Sequence, residues 1–577
     1  MTSVVIQQRA DEDSTLPVFT QTNDLLARIY ASRGVTDLQH LGRKLQQLLP
    51  DGEMLGLSVA VSRLQKALAD GESILIVGDF DCDGATSTVL VVLALQMMGA
   101  QRVSYLVPNR FEYGYGLSPE IVAEALYQSP DLIVTVDNGI SSVEGVAAAN
   151  RAGVEVIVTD HHLAGAELPD ACAIVNPNQP GCPFPAKSTC GVGVIFYVMI
   201  ALRRALINDK WFEKQGIEAP NLASLLDLVA LGTVADVVAL EQNNRVLVHQ
   251  GLQRIRAGVC RPGIRALIEL SGRKQNTLSA TDLGFALAPR LNAAGRLEDM
   301  SIGIECLLTN NETKARELAV LLDGLNQERK GIEQEMQQQA LSLLDALQLD
   351  EQQLPFGLSL YDELWHQGVI GILASRIKDK THRPVIAFAQ GDEGELKGSA
   401  RSISGFHVRD GLDAIAASHP GLLRKFGGHA MAAGLTIRAE DLDQFKQAFD
   451  QEVRRQLNDE DLQKILLTDG ALTSAEITLE MAELLRASGP WGHQFPEPLF
   501  DGEFSLLQQR VVGQRHLKLV LMEPLSGLAV DAIHFNADMD IWPEQSVTRV
   551  RIVYRLDVNE FRGQKTVQLM VEHLQPL

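Results

Sequence analysis

Ile74-Leu75-Ile76-Val77-Gly78-Asp79-Phe80-Asp81-Cys82-Asp83-Gly84 joins an uninterrupted apolar run to alternating carboxylates and a glycine. Four consecutive apolar residues, mostly β-branched, read as a strand buried on both faces. In extended geometry Asp79, Asp81 and Asp83 share one face, and Gly84 lets the chain turn sharply into a helix. Three like charges this close resist joint ionisation unless a cation compensates them. Taken alone, the stretch also reads as an Asp-rich turn that caps a helix.

The pattern around it is regular. It predicts an amphipathic helix from Leu57 through Leu68 and strands at 74–77, 103–107, 132–136 and 154–158. Helices are expected at 86–98, 119–127 and 143–152, followed by others near 192–206 and 222–231. Strands alternating with helices of about ten residues imply βαβ crossovers and a mostly parallel sheet, which places ligands at the carboxyl ends of its strands. The Gln-, Glu- and Leu-rich stretch 301–348 reads as a connecting helix. A second α/β region begins after Pro355, and alternating segments at 517–521, 550–556 and 566–571 read as a small β-barrel. The domain reading is 1–52 an N-terminal extension, 53–300 a catalytic domain, 301–348 the connector, 349–460 a substrate-binding domain and 461–577 a nucleic-acid-binding barrel.

With 577 residues, 46% of them hydrophobic, the chain can bury several cores, roughly three to four domains by usual domain size. No run of about 20 apolar residues suggests a membrane span, and the first residues lack a signal-peptide pattern, so a cytoplasmic protein with no membrane association is expected. Six cysteines without a CxxC pair fit a reducing compartment. The irregular spacing of Cys172, Cys182 and Cys190 argues against zinc. A net charge of −22 keeps such a chain soluble, and it requires positive charge to be focused locally if the substrate is a polyanion.

Three further stretches repeat the logic of an element end followed by an acid. Val136-Asp137-Asn138-Gly139 and Asp160-His161-His162 each follow an apolar strand, and Gly232-Thr233-Val234-Ala235-Asp236 follows an apolar helix. Adjacent imidazoles point apart, so one can ligate a metal while the other faces substrate, with Asp160 orienting its neighbour. Asp236 alone reads equally as a cap or a surface acid. Together Asp81, Asp83, Asp137, His161 and Asp236 suit Mn2+ or Mg2+. Two divalent ions about 4 Å apart would hydrolyse a phosphoester or phosphoanhydride. Neither a P-loop nor a GxGxxG fingerprint is present, which argues against nucleotide-driven work.

These stretches, in this order, resemble the successive motifs of the DHH phosphoesterase superfamily, and Gly427-Gly428-His429-Ala430-Met431-Ala432-Ala433-Gly434 resembles the glycine-rich signature of the DHH-associated domain. Val107-Pro108-Asn109-Arg110 with Gly114-Tyr115-Gly116, Ala288 to Arg296, and His366-Gln367-Gly368-Val369-Ile370-Gly371 are similar to motifs of its single-strand-specific exonucleases. The resemblance implies an α/β fold with a two-lobed DHH core: a parallel-sheet DHH domain and a DHH-associated α/β domain joined by a long helix, followed by a C-terminal OB-type barrel. It implies a cleft too narrow for duplex and degradation of single-stranded DNA from the 5′ end in recombination and repair. It also implies a monomer that works with a single-strand-binding protein and a helicase. The alternative within the superfamily is a hydrolase of short oligonucleotides, cyclic dinucleotides or pyrophosphate.

For the site, the resemblance implies that Asp137 bridges the two ions, Asp79 supports the first, and His162, with Asp160, contacts the scissile phosphate. Many members carry a histidine four residues before the position of Asp81. Val77 stands there, leaving the first ion one imidazole short. Substrate contacts are expected from Arg110, Arg290, Arg296, Ser399, Arg401, Gly427, Gly428 and His429, although each arginine also fits an ion pair with one of the many acids. In the tail Trp491, Phe495, Phe500 and Tyr554 are candidates for base stacking, or for core.

Overall fold

The computed structural model of the chain describes residues 4–9, 23–108, 116–346, 354–392, 394–513, 515–537, 539 and 542–577. It forms two compact units, one of Met1–Gln8 with Gln327–Thr468, the other of Arg9–Asn326 with Asp469–Leu577.

The larger unit contains a five-stranded parallel sheet in the order Val103–Leu106, Ile74–Val77, Leu132–Val136, Glu155–Thr159, Ala173–Val175. Ile74–Val77 and Leu132–Val136 are buried at every residue, as strands covered by helices on both faces must be. Cys82–Met97, buried along most of its length, and Gly191–Asn208 cross this core. The second of these is apolar enough to pass for a membrane span, but two thirds of it is packed inside the protein, as in a core helix. Helix Cys82–Met97 begins where Asp81 Oδ1 accepts the backbone N–H groups of Asp83 and Gly84, a cap of about 1 kcal/mol. Gly84 is required there, since a Cβ would stand 2.6 Å from the carbonyl oxygen of Asp79.

The same unit contains a closed five-stranded barrel in the order Phe500–Val512, His516–Met522, Ala529–His534, Gln564–Pro576, Arg549–Phe561. Two of these strands, 500–512 and 529–534, are not evident from apolar alternation. The tail aromatics are core: Trp491, Phe495, Phe500 and Tyr554 are 8%, 2%, 0% and 1% exposed, which corrects their reading as stacking candidates. Trp491 and Phe495 stack with Tyr30 of the N-terminal segment.

The smaller unit holds a mixed sheet in the order Lys425–Gly428, Ala432–Arg438, Glu395–Arg401, Val385–Gln390, Leu358–Tyr361. Three expectations change here and at the connector. Part of the supposed N-terminal extension, Val4–Gln8, is a strand that pairs in parallel with Lys464–Thr468, and this removes 464–468 from the tail domain. The connector is not one helix. Ser301–Leu308 stops, and Asn311 caps a new helix, Glu312–Ala346, by accepting from the N–H groups of Thr313 and Lys314.

Candidate metal centre

Strand order explains why the acidic stretches converge. From Ile74–Val77 the sheet continues to one edge, and from Leu132–Val136 to the other, so the connections leaving these neighbouring strands diverge and open a crevice at their carboxyl ends. Asp79, Asp81 and Asp83 follow the first strand and Asp137 the second. Asp160, His161 and His162 follow the adjacent Glu155–Thr159, and Asp236 ends the helix Leu226–Ala235.

Three groups of donor atoms, each within 4.8 Å of one another, result: Asp79, Asp81, Asp137; Asp83, His161, Asp236; and Asp137, His161, His162. His161 Nε2 lies 3.1 Å from Asp137 Oδ1, 3.5 Å from Asp236 Oδ2 and 4.0 Å from Asp83 Oδ2.

Each donor is fixed by its surroundings. Asp83 accepts the backbone N–H groups of Gly191 at 2.7 Å and Val192 at 2.9 Å, at the positive end of helix Gly191–Asn208. Asp137 has a positive φ of 62°, a region that side-chain-bearing residues seldom occupy. The next residue ties the two strand ends together, with Asn138 Nδ2 donating to the carbonyls of Val77 and Val136. Asp160, 1% exposed, accepts the Ile140 N–H on one oxygen and the His161 and His162 N–H groups on the other. That second oxygen also meets His162 Nδ1 at 2.7 Å. Asn178 and Asn176 donate to the carbonyls of His161 and His162. Asp160 therefore holds the His162 imidazole and the backbone of both histidines.

The charge balance tests whether a metal fits. Burial, and then Asp81, pushes the Asp83 carboxyl up to about 7. Burial, and then Asp83, pushes Asp137 and Asp236 well above the ordinary carboxylate range. Divalent cations relieve this repulsion, and a carboxylate-rich set with imidazole and no thiolate suits Mn2+ or Mg2+. Burial works against a charged His162, but the hydrogen bond and charge of Asp160 raise its imidazole to about 9. Val77 is fully buried in an apolar cluster with Leu75, Leu117 and Ile121. The group beside it consists of three carboxylates, Asp79, Asp81 and Asp137, with no imidazole.

In the smaller unit, register sets Gly427 opposite Gly434 and Gly434 opposite Ser399, one row across one face of the sheet. A Cβ at Gly427 or Gly434 would meet nothing within 4 Å, so the backbone along the row is open. Arg401, two residues from Ser399, donates to its Oγ at 3.2 Å. A Cβ on Gly371 would stand 2.9 Å from Arg401 Nη2 and 3.0 Å from Ser399 Oγ, so the first turn of helix Ile370–Thr381 lies beside both. Burial lowers the pKa of Arg401. A half-buried guanidinium, a hydroxyl, open backbone and a helix N-terminus are suited to a phosphate.

Other expected contacts are distributed differently. Arg290 is buried in an ion pair with Asp323 at 2.8 Å and also donates to the Ala286 carbonyl, which accounts for it as a brace between helices. Arg296 is half-buried in the last turn of Ala288–Leu297. Gly428 serves the turn: its φ is 144° and a Cβ would stand 2.4 Å from the Ala432 carbonyl oxygen. His429 donates its N–H to that same carbonyl at 2.8 Å. Arg110 lies outside the described residues. Gly371 and Gly434, each the last residue of its motif, and Asn292, whose Oδ1 accepts the Cys82 N–H at 2.7 Å, are not evident from the sequence as site residues.

Three family models match the chain: the DHH family N-terminal domain at residues 73–233, the DHHA1 domain at 355–455 and the RecJ OB domain at 468–573. The single-stranded-DNA-specific exonuclease RecJ of Dickeya dadantii is 58% identical over 96% of each chain, and that of Escherichia coli K12 is 54% identical over 99% of each. This chain belongs to the RecJ family. The crystal structure of RecJ from Thermus thermophilus in complex with Mn2+ superposes with a TM-score of 0.82 at 30% identity, covering 100% of this chain and 80% of that one. The Mg2+ complex gives 0.76 at 28% identity, covering 100% and 79%. The RecJ fold accounts for the parallel DHH sheet, the DHHA1 sheet and the closed OB barrel.

Proposed function

We propose that this chain is a metal-dependent exonuclease that hydrolyses single-stranded DNA from its 5′ end. The observation that carries the reading is the sharing of Asp137 and His161 among the three donor groups, which makes room for two ions rather than one. Asp79, Asp81 and Asp137 would hold the first, Asp83, His161 and Asp236 the second, and Asp137 would bridge them. Two bound divalent ions supply charge for the phosphoryl oxygens and acidify water. Full-length RecJ relatives that share more than half of their residues support the substrate class.

The chain's own residues do the rest. Asp160 holds His162 Nδ1 and keeps the imidazole protonated at neutral pH, so its cationic face attracts the phosphate undergoing cleavage. Ser399, Arg401 and the open row at Gly427 and Gly434 would take a terminal 5′ phosphate. The enzyme would act in the cytoplasm as a monomer, in recombination and repair, on strands exposed by a helicase and covered by a single-strand-binding protein.

Digestion of 5′-blocked and 3′-blocked strands tests this. Protection by the 5′ block alone is expected, and activity confined to short oligonucleotides or pyrophosphate would overturn the reading. Asp81→Ala should abolish hydrolysis while strand binding persists.

A further inference from the structure

Within the larger unit, the catalytic domain and the OB barrel enclose a cavity of about 850 Å³, and none of the metal-centre residues lines it. In a chain of net charge −22 its lining is cationic, with six basic side chains against four carboxylates. Each carboxylate is already matched: Arg273 with Asp282 at 3.2 Å, Lys274 with Glu560 at 2.7 Å, Arg486 with Asp557 at 2.7 Å and Arg555 with Glu497 at 2.8 Å.

Arg43 and Arg256 are the surplus. Arg43 donates to the carbonyls of Ala487 and Ser488, and Arg256 to that of Leu278. Neither has a carboxylate partner within ion-pair distance among the described residues. Burial, then Arg43 and Arg486, lowers the pKa of Arg256. Burial, then Arg43 and Arg256, pushes His249 down to about 4, so this imidazole is neutral at physiological pH and adds no charge. Carbonyl oxygens orient guanidinium groups but do not neutralise them, so clustered cations of this kind carry a standing repulsion that an anion removes. On the barrel side Phe535, 47% exposed, presents an aromatic ring.

We propose that this cavity is a second phosphate site, at which Arg43 and Arg256 bind the phosphate groups of a nucleotide chain apart from the metal centre. The surplus of two positive charges matches either two successive phosphodiesters of the strand or the single dianionic phosphate of a released 5′-mononucleotide. The substrate arm rests on the reading of the chain as a single-strand exonuclease. The site itself does not, because binding can be measured where no cutting occurs.

The test is fluorescence anisotropy of a labelled 20-residue oligothymidylate with the full-length chain in EDTA, over a series of salt concentrations. Thymidine 5′-monophosphate is titrated in parallel by calorimetry. Replacing Arg43→Gln and Arg256→Gln together should weaken strand binding about tenfold and lower the slope of log affinity against log salt by about 1 to 2. The exposed Lys274→Gln, which disturbs packing least, should weaken it about threefold. If the strand is unaffected but mononucleotide binding is lost, the site serves the product. Wild-type affinity and salt slope for both probes, in variants with wild-type melting temperatures, would overturn the proposal. Absence of strand cutting by the metal-loaded wild type would instead overturn the functional reading and leave these binding results to judge the cavity.

Discussion

His161 Nε2 and Asp137 Oδ1 stand 3.1 Å apart, although they arise from adjacent strands and belong to overlapping donor groups. On the two-ion proposal Asp137 belongs to two of the donor groups, so its loss would disturb both ions.

Asp137→Asn keeps the shape and tolerates the positive φ of 62°, since Asn is enriched in that region. It removes one buried charge from a crowded cluster. The expected outcome is a loss of hydrolysis of at least about a thousandfold, with a melting temperature of the metal-free protein equal to or above wild type. Steady-state rates and thermal denaturation check both halves.

Metal stabilisation should depend on pH. Because the folded-state pKa of Asp83 is raised from 3.8 to about 7, the folded chain holds this proton through a window where the unfolded chain has released it. Its stabilising contribution is present below the lower value and is lost as pH rises through about 7. Metal must displace the same proton. Added Mn2+ should therefore raise the melting temperature more at pH 7.5 than at pH 5.5, as measured by differential scanning fluorimetry.

Asp160→Asn keeps one acceptor oxygen for the His161 and His162 N–H groups, replaces the oxygen that accepts the Ile140 N–H with a donor, and removes the charge that keeps His162 protonated up to about 9. The alkaline limb of the pH–rate profile should move down by at least one unit. Unchanged profiles would remove His162 from the reaction.

Gly434→Leu places a side chain over the open row beside Ser399, where a Cβ would meet nothing within 4 Å. The variant should fold normally and show a KM for long strands raised about tenfold, with kcat changed less. Arg401→Gln should abolish any preference for 5′-phosphorylated over 5′-hydroxyl ends.

Gly191→Ala probes packing against the centre from the opposite side. Its Cβ would lie 2.6 Å from that of Asp137. Overpacking of about 1 to 3 kcal/mol is expected, together with weaker metal binding, measurable by denaturant titration with and without Mn2+.

Much of the fold was legible because its signals are local. The runs at 74–77 and 132–136 occupy the expected strands residue for residue, and each is followed at once by its acids. The strands 500–512 and 529–534 were not legible, because a barrel strand that is part surface and part core blurs the alternation. The same holds for Val4–Gln8, whose partner lies more than 450 positions away. The partner of Arg290, Asp323, was not legible either, since which acid a cation finds is decided by the packing of two helices, not by spacing.

What the sequence by itself determined is the chemistry: carboxylates and imidazoles at the ends of buried strands, because apolar runs fold into a sheet interior and polar residues must emerge at its edge. Only the tertiary structure decided how those donors are shared. Strand order brings Asp137 to Asp79 and Asp81, helix packing delivers Asp236 to His161, and strand register aligns Gly427, Gly434 and Ser399. Those distances depend on side chains packed across long separations in the chain, where no local periodicity carries the information.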